Sequence, residues 1–299
     1  MTTAASTVAS NPGRSPARRA AAWLHRHRWL RLGLLLLLPL LWLGVVYLGS
    51  LFFLFINAFW STDPFTSQVV REFTLDNFET LLSGAVYRTV TIRTIAFAVA
   101  VTATCIVLAY PIAFYMAKVA SVRMRGVLAV AVLMPLWASY LIKAYSWRLI
   151  LSDGGVLDWL LAPFGLKGPG FGDIAMWLVF TYLWLPYMIL PIYAGLERIP
   201  DSLLEASADL GGHAWTTFRR VILPMSTPAV IAGSIFTFAL TLGDYIVPGL
   251  VSTSQFIGNV IVINVAQDLP LAAAYSLVPL AIILIYLVVA RRLGAFNAL

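Results

Sequence analysis

The chain has 299 residues, of which 61% are hydrophobic and 11% are charged, and its mean hydropathy is +0.87. Soluble domains carry roughly 45–50% apolar and about 25% charged residues, so this composition excludes a water-soluble enzyme, and it also excludes a disordered chain. The net charge of +7 could indicate nucleic-acid binding, but the basic residues alternate with apolar runs and form no patch. Cys105 is the only cysteine, which excludes a disulfide framework. The sequence therefore predicts an all-α polytopic membrane protein that does not bind nucleic acid.

The N-terminal segment is rich in Ala, Ser, Thr, Pro and Arg, and residues 1–30 are predicted to form a disordered, basic cytosolic tail. A cleavable secretory signal is the alternative interpretation. Its apolar region would span about 7–15 residues, whereas the run from Leu32 to Phe59 is much longer. We therefore expect a first transmembrane helix at residues 31–60, followed by an external loop at residues 61–91.

Six apolar stretches are long enough to cross a bilayer, whose hydrocarbon core takes about 20 helical residues. Each contains proline, which membrane helices tolerate because neighbouring groups satisfy the freed carbonyls. The stretches run from about Leu32 to Phe59, Thr94 to Ala117, Gly126 to Leu149, Ile174 to Leu196, Pro228 to Val251 and Ala272 to Ala290. Residues 92–299 are thus predicted to form a core of five helices with a cytosolic loop at residues 198–225.

The positions of the basic residues predict the orientation of these helices, because Lys and Arg in short loops favour the cytoplasm. Most of the 20 basic residues lie in the N-terminal tail and in alternate loops. The opposite loops hold only Arg71, Arg88, Arg93 and Lys167. Both termini are therefore predicted to be cytosolic.

The chain has few residues and motifs that could support catalysis. Its three histidines are His25, His27 and His213, and the sequence contains no zinc-binding helix motif, no phosphate-binding loop and no nucleophile elbow. We therefore expect no catalytic residue, no metal site and no cofactor bound by this chain. Uphill transport would then have to draw its energy from an ion gradient or from a partner protein.

The loop at residues 198–225 has the most specific pattern. Ser202 and Glu205 are spaced as a capping box, which predicts a helix start there, and Asp201 adds a favourable charge. Gly211–Gly212 is predicted to end that helix, because glycine accepts the left-handed conformation that such ends need.

A second short helix is predicted to follow, carrying an apolar face at i, i+3 and i+7. This face holds Trp215, Phe218 and Ile222. Two interpretations of it stay open. It could dock onto a partner protein, or it could pack against the membrane helices or lie in the lipid interface.

This loop resembles the Glu-Ala-Ala loop of the membrane subunits of binding-protein-dependent ABC importers. That pattern is Glu-Ala-Ala, three residues, Gly, nine residues, Ile, one residue and Leu-Pro, with Ser207 and Val221 as the conservative departures here. The resemblance implies that the loop inserts into a groove of a cytosolic ATPase dimer and transmits its closure to the pore. Glu205, Ala206, Gly211, Leu223 and Pro224 match positions of this pattern. Together with Trp215 and Phe218 of the apolar face, they are the predicted coupling residues.

Two further runs, Leu133–Trp147 and Leu242–Pro248, are similar to spermidine/putrescine permeases. Related permeases for ferric ion, thiamine or opines share such runs and remain alternatives. The resemblance implies a type I ABC importer permease with six transmembrane helices in a bacterial plasma membrane. It further implies a second permease subunit forming a heterodimer, a partner ATPase that uses ATP and Mg, and an external substrate-binding protein.

Asp244 is the acidic residue within the fifth predicted span, and a buried charge at such depth faces a cavity, a partner or the bundle interior. One interpretation places it on the path of a cationic substrate, together with Tyr245, Trp137 and Tyr140. The other interpretation is structural, with Asp244 paired to Lys143 or Arg148 or solvated at the outer mouth. The aromatic residues near the ends of the spans could hold an ammonium by cation–π attraction or belong to the interfacial aromatic belt. They are Tyr140, Tyr145, Trp147, Trp184 and Tyr187.

Two rival function classes predict signatures of their own. A secondary transporter should show inverted repeats and carboxylates at the membrane midplane. A membrane-embedded enzyme should show a catalytic constellation facing a cavity. Neither signature is visible in the sequence.

Overall fold

The computed structural model describes residues 28–294 and is almost entirely helical. Contacts divide the chain into two units, residues 1–56 and 57–299. The predicted basic tail falls almost wholly outside the described residues. The helices are α1 (Arg28–Leu41), α2 (Gly49–Asn57), α3 (Asp76–Ser83), α4 (Ala85–Phe114), α5 (Val122–Trp137), α6 (Tyr140–Leu151), α7 (Val156–Leu161), α8 (Asp173–Glu197), α9 (Asp201–Asp209), α10 (Ala214–Thr217), α11 (Leu223–Gly243), α12 (Ile246–Val251), α13 (Ile257–Gln267) and α14 (Leu269–Arg292).

Wider, π-helical turns extend several of these helices without interrupting them. They lie at Trp42–Leu48, Tyr115–Val119 and Phe218–Ile222, and a short 3-10 turn lies at Ala162–Phe164. The first unit contains α1, and the side chains of residues 35–48 are exposed. A helix that carries apolar side chains on all sides is typical of a membrane span.

Five helical segments in the described part of the chain are long and apolar enough to cross a membrane, and a bent pair supplies a sixth. The five are Leu35–Asn57, Ala85–Val119, Asp173–Glu197, Ala214–Gly243 and Leu269–Arg292, and the bent pair is Val122–Trp137 with Tyr140–Leu151. We number these spans one to six in chain order, so the bent pair is span three. The prediction of an all-α polytopic protein is confirmed.

Span two starts earlier than predicted, at Ala85 and not at Thr94. Arg88 and Arg93 lower the local hydropathy, but charged side chains near the end of a span do not interrupt the helix, because they can reach the interface. The hydropathy pattern therefore marked the apolar part of this helix and missed its first two turns.

Span three is broken, whereas the sequence predicted one continuous helix from Gly126 to Leu149. Its two halves meet at an angle of 93°. Ala138 and Ser139 both adopt extended backbone conformations, with ψ of 141° and 137°, and this interrupts the helical hydrogen-bond ladder. A hydropathy average does not reveal such a break, because both halves are apolar.

Span five also ends earlier than predicted, at Gly243 and not at Val251. Asp244 is extended, with φ −75° and ψ 134°, and α12 then begins as a separate short helix. The Asp244 carboxylate accepts the backbone N–H groups of Ile246 and Val247 at 2.8 and 3.0 Å. This side-chain cap stabilises the start of α12 and so favours the break.

The core of the second unit lies where α4, α8 and α11 pack together, and it is filled by buried side chains such as Phe180, Met188 and Met116. Small residues let α8 and α11 approach closely. A Cβ atom added at Gly195 would collide with the Cβ of Ala229, and one added at Gly233 would lie 2.9 Å from the sulfur of Met188. Such small-residue contacts are typical of helix packing in membranes.

A two-stranded antiparallel hairpin follows span one, formed by β1 (Ser61–Thr62) and β2 (Val69–Val70). The Thr62 hydroxyl donates to the carboxylate of Asp268 at 2.8 Å. Asp268 also caps α14, accepting the N–H of Leu271 at 3.1 Å. The hairpin is thereby attached to the start of span six.

Candidate functional site

The 198–225 loop contains α9, which starts at Asp201 directly after Pro200. The predicted capping box is wrong, because Ser202 lies inside the helix and no side chain caps the helix start. Pro200 has a fixed φ and no N–H group, so it serves as the residue before the helix. The carboxylate of Asp201 is bound instead by Lys118, at 2.8 Å.

The predicted end of this helix at Gly211–Gly212 is confirmed. Gly211 has φ +76°, and its N–H donates to the carbonyl of Ala208 at 2.8 Å. The N–H of Gly212 donates to the carbonyl of Ser207, also at 2.8 Å. These two hydrogen bonds form a Schellman motif, in which glycine is favoured at the left-handed position.

The second helix of the loop is not a separate short helix, which corrects the prediction. α10 continues through a π-helical turn into α11, so the segment Ala214–Gly243 forms a single span. Burial along the predicted apolar face is graded: Trp215 is exposed and stacks on the half-buried Phe218 at 5.5 Å, while Ile222 is buried. The burial of Ile222 supports packing of this face against the membrane helices. The exposure of Trp215 leaves that residue available to a partner protein or to the lipid interface.

The residues assigned to coupling are accessible on the surface of this chain. Glu205, Ala206, Gly211, Trp215, Leu223 and Pro224 are all exposed, and Phe218 is half-buried. None of the residues of α9 is buried. A groove of about 350 Å³ runs beside α9, with Leu203, Ala206, Leu210 and Val221 among its lining residues. Apolar side chains exposed beside a groove are suited to contact with another protein.

Asp244 lies at the junction of three helices, α6, α11 and α12. Its carboxylate accepts the hydroxyl of Tyr140 in addition to the two N–H groups of α12, and the residue is 9% exposed. Within residues 28–294, neither Lys143 nor Arg148 forms an ion pair with it, so the structural pairing considered from the sequence is replaced by pairing with Tyr140. The guanidinium of Arg148 lies 5.9 Å from the ring of Phe171.

A cavity of about 330 Å³ opens beside Asp244. It brings together three of the four predicted path residues, but Trp137 does not line it and is 83% exposed at the break in span three. The lining residues are Tyr140, Trp184, Ala239, Leu240, Gly243, Asp244, Tyr245 and Ile246. The rings of Tyr140 and Trp184 stack with centroids 6.0 Å apart.

Sequence reasoning left Trp184 between cation–π attraction and the interfacial belt, and it did not place this residue beside Asp244. The residue is 7% exposed, and its indole N–H is buried without a hydrogen-bond partner in the part of the chain that the structure describes. Its spacing from Tyr140 in the sequence gave no signal of contact. The two residues meet because span three bends at Ala138–Ser139 and directs α6 across the bundle.

Two ion pairs near the 198–225 loop were also missed. Lys118 pairs with Asp201 at 2.8 Å, and Arg125 pairs with Glu197 at 3.1 Å. The partners are separated by 83 and 72 residues, so no local pattern could reveal them. Among the described residues, no group of three or more His, Cys, Asp or Glu side chains could hold a metal ion.

Solved structures with the same fold are ABC importers. A chain of a bacterial ABC transporter involved in the import of the acidic polysaccharide alginate matches with a TM-score of 0.65 at 21% identity, covering 92% of this chain and 99% of that one. A chain of the MetNI methionine ABC transporter, in inward-facing conformations, matches with a TM-score of 0.54 at 15% identity, covering 72% and 95%. At these identities the likeness shows the fold alone, and the predicted importer permease fold is confirmed.

Similar sequences are permeases as well. The chain is 44% identical to the inner membrane ABC transporter permease protein YdcU of Escherichia coli K12, covering 99% of this chain and all of that one. It is 33% identical to the spermidine/putrescine transport system permease protein PotB of the same organism, covering 71% and 79%. The family model described as binding-protein-dependent transport system inner membrane component matches residues 30–297. The chain therefore belongs to this family of bacterial inner-membrane proteins, the permease subunits of ABC importers, in which a separate ATPase hydrolyses ATP.

Proposed function

We propose that this permease imports polyamines of the spermidine and putrescine class. The Asp244 cavity is the observation that carries the proposal, because it places a buried carboxylate beside stacked aromatic rings. The similarity to PotB, whose name states a spermidine/putrescine transport system, supports the same substrate class.

The chemistry of the cavity suits a flexible organic cation. A carboxylate attracts an ammonium group, and the faces of Tyr140 and Trp184 add cation–π attraction. The aliphatic side chains of Leu240 and Ile246 offer apolar contact to the methylene chain between two amines. Asp244 already accepts three hydrogen bonds, so an arriving ammonium would compete with the Tyr140 hydroxyl for the carboxylate.

The proposed transport cycle is alternating access driven from the 198–225 loop. In this proposal, Glu205, Gly211 and Trp215 contact a cytosolic ATPase dimer, and a second permease subunit completes the path in a heterodimer. An external binding protein delivers the substrate, and both termini of this chain are cytosolic. The continuous segment Ala214–Gly243 supports the coupling, because it runs from the loop to the residue before Asp244.

The test of the substrate is uptake of radiolabelled putrescine and spermidine by cells that express the complete transporter. Asp244→Asn removes the charge but keeps an oxygen that can cap α12, since asparagine is a good capping residue. We expect KM for the amine to rise by about tenfold, which corresponds to about 1.4 kcal/mol of lost binding free energy.

The matched control is Asp153→Asn, which removes an exposed acidic residue from the turn after α6. It should leave uptake unchanged. Unaltered kinetics in Asp244→Asn, at equal amounts of inserted protein, would show that this carboxylate has only a structural role. An absence of amine uptake by the wild-type transporter would reject polyamines as its substrate.

A further inference from the structure

Span two binds the start of the 198–225 loop through one lysine. The ammonium of Lys118 donates to the backbone carbonyl of Ile199 at 2.6 Å and to the carboxylate of Asp201 at 2.8 Å. Ile199 lies just before α9 and Asp201 is its first residue. The lysine side chain is 9% exposed, whereas the side chain of Asp201 is 79% exposed. Lys118 therefore attaches the first turn of α9 to the last turn of span two.

The apolar attachment of α9 to the core is through Leu204, which is half-buried. None of its residues is buried. At its far end, the hydroxyl of Ser207 is 2.8 Å from that of Thr217, which lies within the same loop. The Lys118 contacts are thus a direct polar link between α9 and a helix outside the loop.

Span two also contacts the other end of the loop. The ring of Phe218 packs edge-on against those of Tyr110 and Phe114, with centroids 5.6 and 6.4 Å apart. The hydroxyl of Tyr110 is 2.8 Å from that of Ser226, the residue of span five that directly follows the 198–225 loop. Both ends of the loop are therefore held by span two, although the chain connects the loop to spans four and five.

The last turn of span two has an unusual backbone. Tyr115–Val119 is π-helical, and such wide turns occur frequently at functional sites. A second ion pair meets the same turn, because Arg125 donates to the carbonyl of Ala117 and to the carboxylate of Glu197, each at 3.1 Å. The turn thus joins α5, the end of span four and the start of α9.

We propose that Lys118 is a positioning residue that fixes α9 to span two, so that a displacement of α9 by the ATPase reaches span two directly. Span two then moves together with the loop, in addition to spans four and five, which the chain connects to it. The proposal rests on the coupling role proposed for the 198–225 loop, but it does not depend on which substrate is imported.

The experiment measures amide hydrogen exchange in the complex that co-purifies with this chain from its native membranes, reconstituted in nanodiscs. Exchange is compared without nucleotide and after trapping with ATP and vanadate. Two segments report separately, residues 201–209 in α9 and residues 115–119 in span two. In the wild type we expect nucleotide to change the exchange of both segments.

Three variants distinguish a positioning role of Lys118 from a general role in the stability of the protein. In Lys118→Met, we expect the nucleotide response of residues 115–119 to be lost, while the response of α9 and the amount of bound ATPase are retained. Lys118→Arg keeps a cation with several donors and should restore the response in span two. Arg123→Met removes an exposed cation from the same end of the bundle and should behave as the wild type.

Each contrary outcome has a distinct meaning. A normal response of span two in Lys118→Met, or no response of span two in the wild type, would overturn the proposal. Loss of the ATPase from Lys118→Met and from Lys118→Arg alike would also overturn it, because the lysine would then serve assembly only. A wild-type complex without any ATPase would instead reject the coupling role of the loop itself.

Discussion

Single residues at the ends of helices determine where this bundle bends and where its loops turn. Asp244 ends span five and starts α12, because its carboxylate caps the new helix. Gly211 reverses the chain after α9 with φ +76°, a conformation that costs other residues roughly 1–2 kcal/mol. Each of these residues can therefore be tested by a substitution that changes one property.

Gly211→Pro should abolish transport while the chain still inserts into the membrane. Proline has φ near −65° and lacks the N–H group that Gly211 donates to Ala208, so the Schellman turn cannot form. Uptake and the amount of membrane-inserted protein are measured in parallel. Gly126→Ala is the control, because a Cβ atom there meets open space within a helix. Wild-type uptake by Gly211→Pro would remove this turn from the coupling path.

The pKa of the Asp201 carboxyl group should lie below its ordinary value. The hydrogen bond from Lys118 and the lysine charge lower the pKa of Asp201 below 3.8. The stabilisation from this pair is therefore complete above pH 3.8 and is lost as the pH falls through the lowered pKa. The carboxyl-carbon NMR shift of Asp201 should show this midpoint, and Lys118→Met should move it up towards 3.8. An identical midpoint in both proteins would argue against the ion pair.

Two helices of this protein approach one another closely at positions where one of them carries glycine. α8 and α11 approach closely at Gly195 and Ala229, where an added Cβ atom would collide. The packing of α8 against α11 relies on such positions, because lipid offers no hydrophobic drive for helix association. The break in span three has a different cause, since it depends on the backbone conformation of Ala138 and Ser139.

Gly195→Ala should lower the thermal unfolding midpoint of the purified protein. Overpacking of this kind costs about 1–3 kcal/mol. Ala229→Gly removes the opposing methyl group, so the double variant should recover part of the loss, although glycine inside a helix costs up to about 1 kcal/mol. Additive losses in the double variant would contradict the close approach of these two helices.

On the scale of the whole molecule, the 198–225 loop and the Asp244 cavity lie at opposite ends of span five. Span five joins them without a break, and span two contacts both ends of the loop. The proposed cycle uses this arrangement, because a movement of the loop is transmitted along helices that the bundle holds together.

The proposed orientation requires the loop and the hairpin to lie on opposite sides of the membrane. In a Cys105→Ser background, Thr66→Cys should react with a membrane-impermeant thiol reagent in intact cells, and His213→Cys should react only after permeabilisation. Both side chains are exposed on the protein, so permeabilised cells provide the positive control. The reverse pattern would place both termini outside.

The sequence by itself determined the class of protein, the approximate spans and the loop that marks the family. Apolar composition reports exposure to lipid, and the pattern of the loop is local, so both can be read along the chain. Gly211 was predicted correctly for that reason, since its turn depends only on neighbouring residues. Only the tertiary structure decided the bend in span three, the partners of Asp244 and the contacts of Lys118. The contacts of Lys118 with Ile199 and of Tyr140 with Asp244 join residues 81 and 104 positions apart, so they depend on how the helices pack against one another.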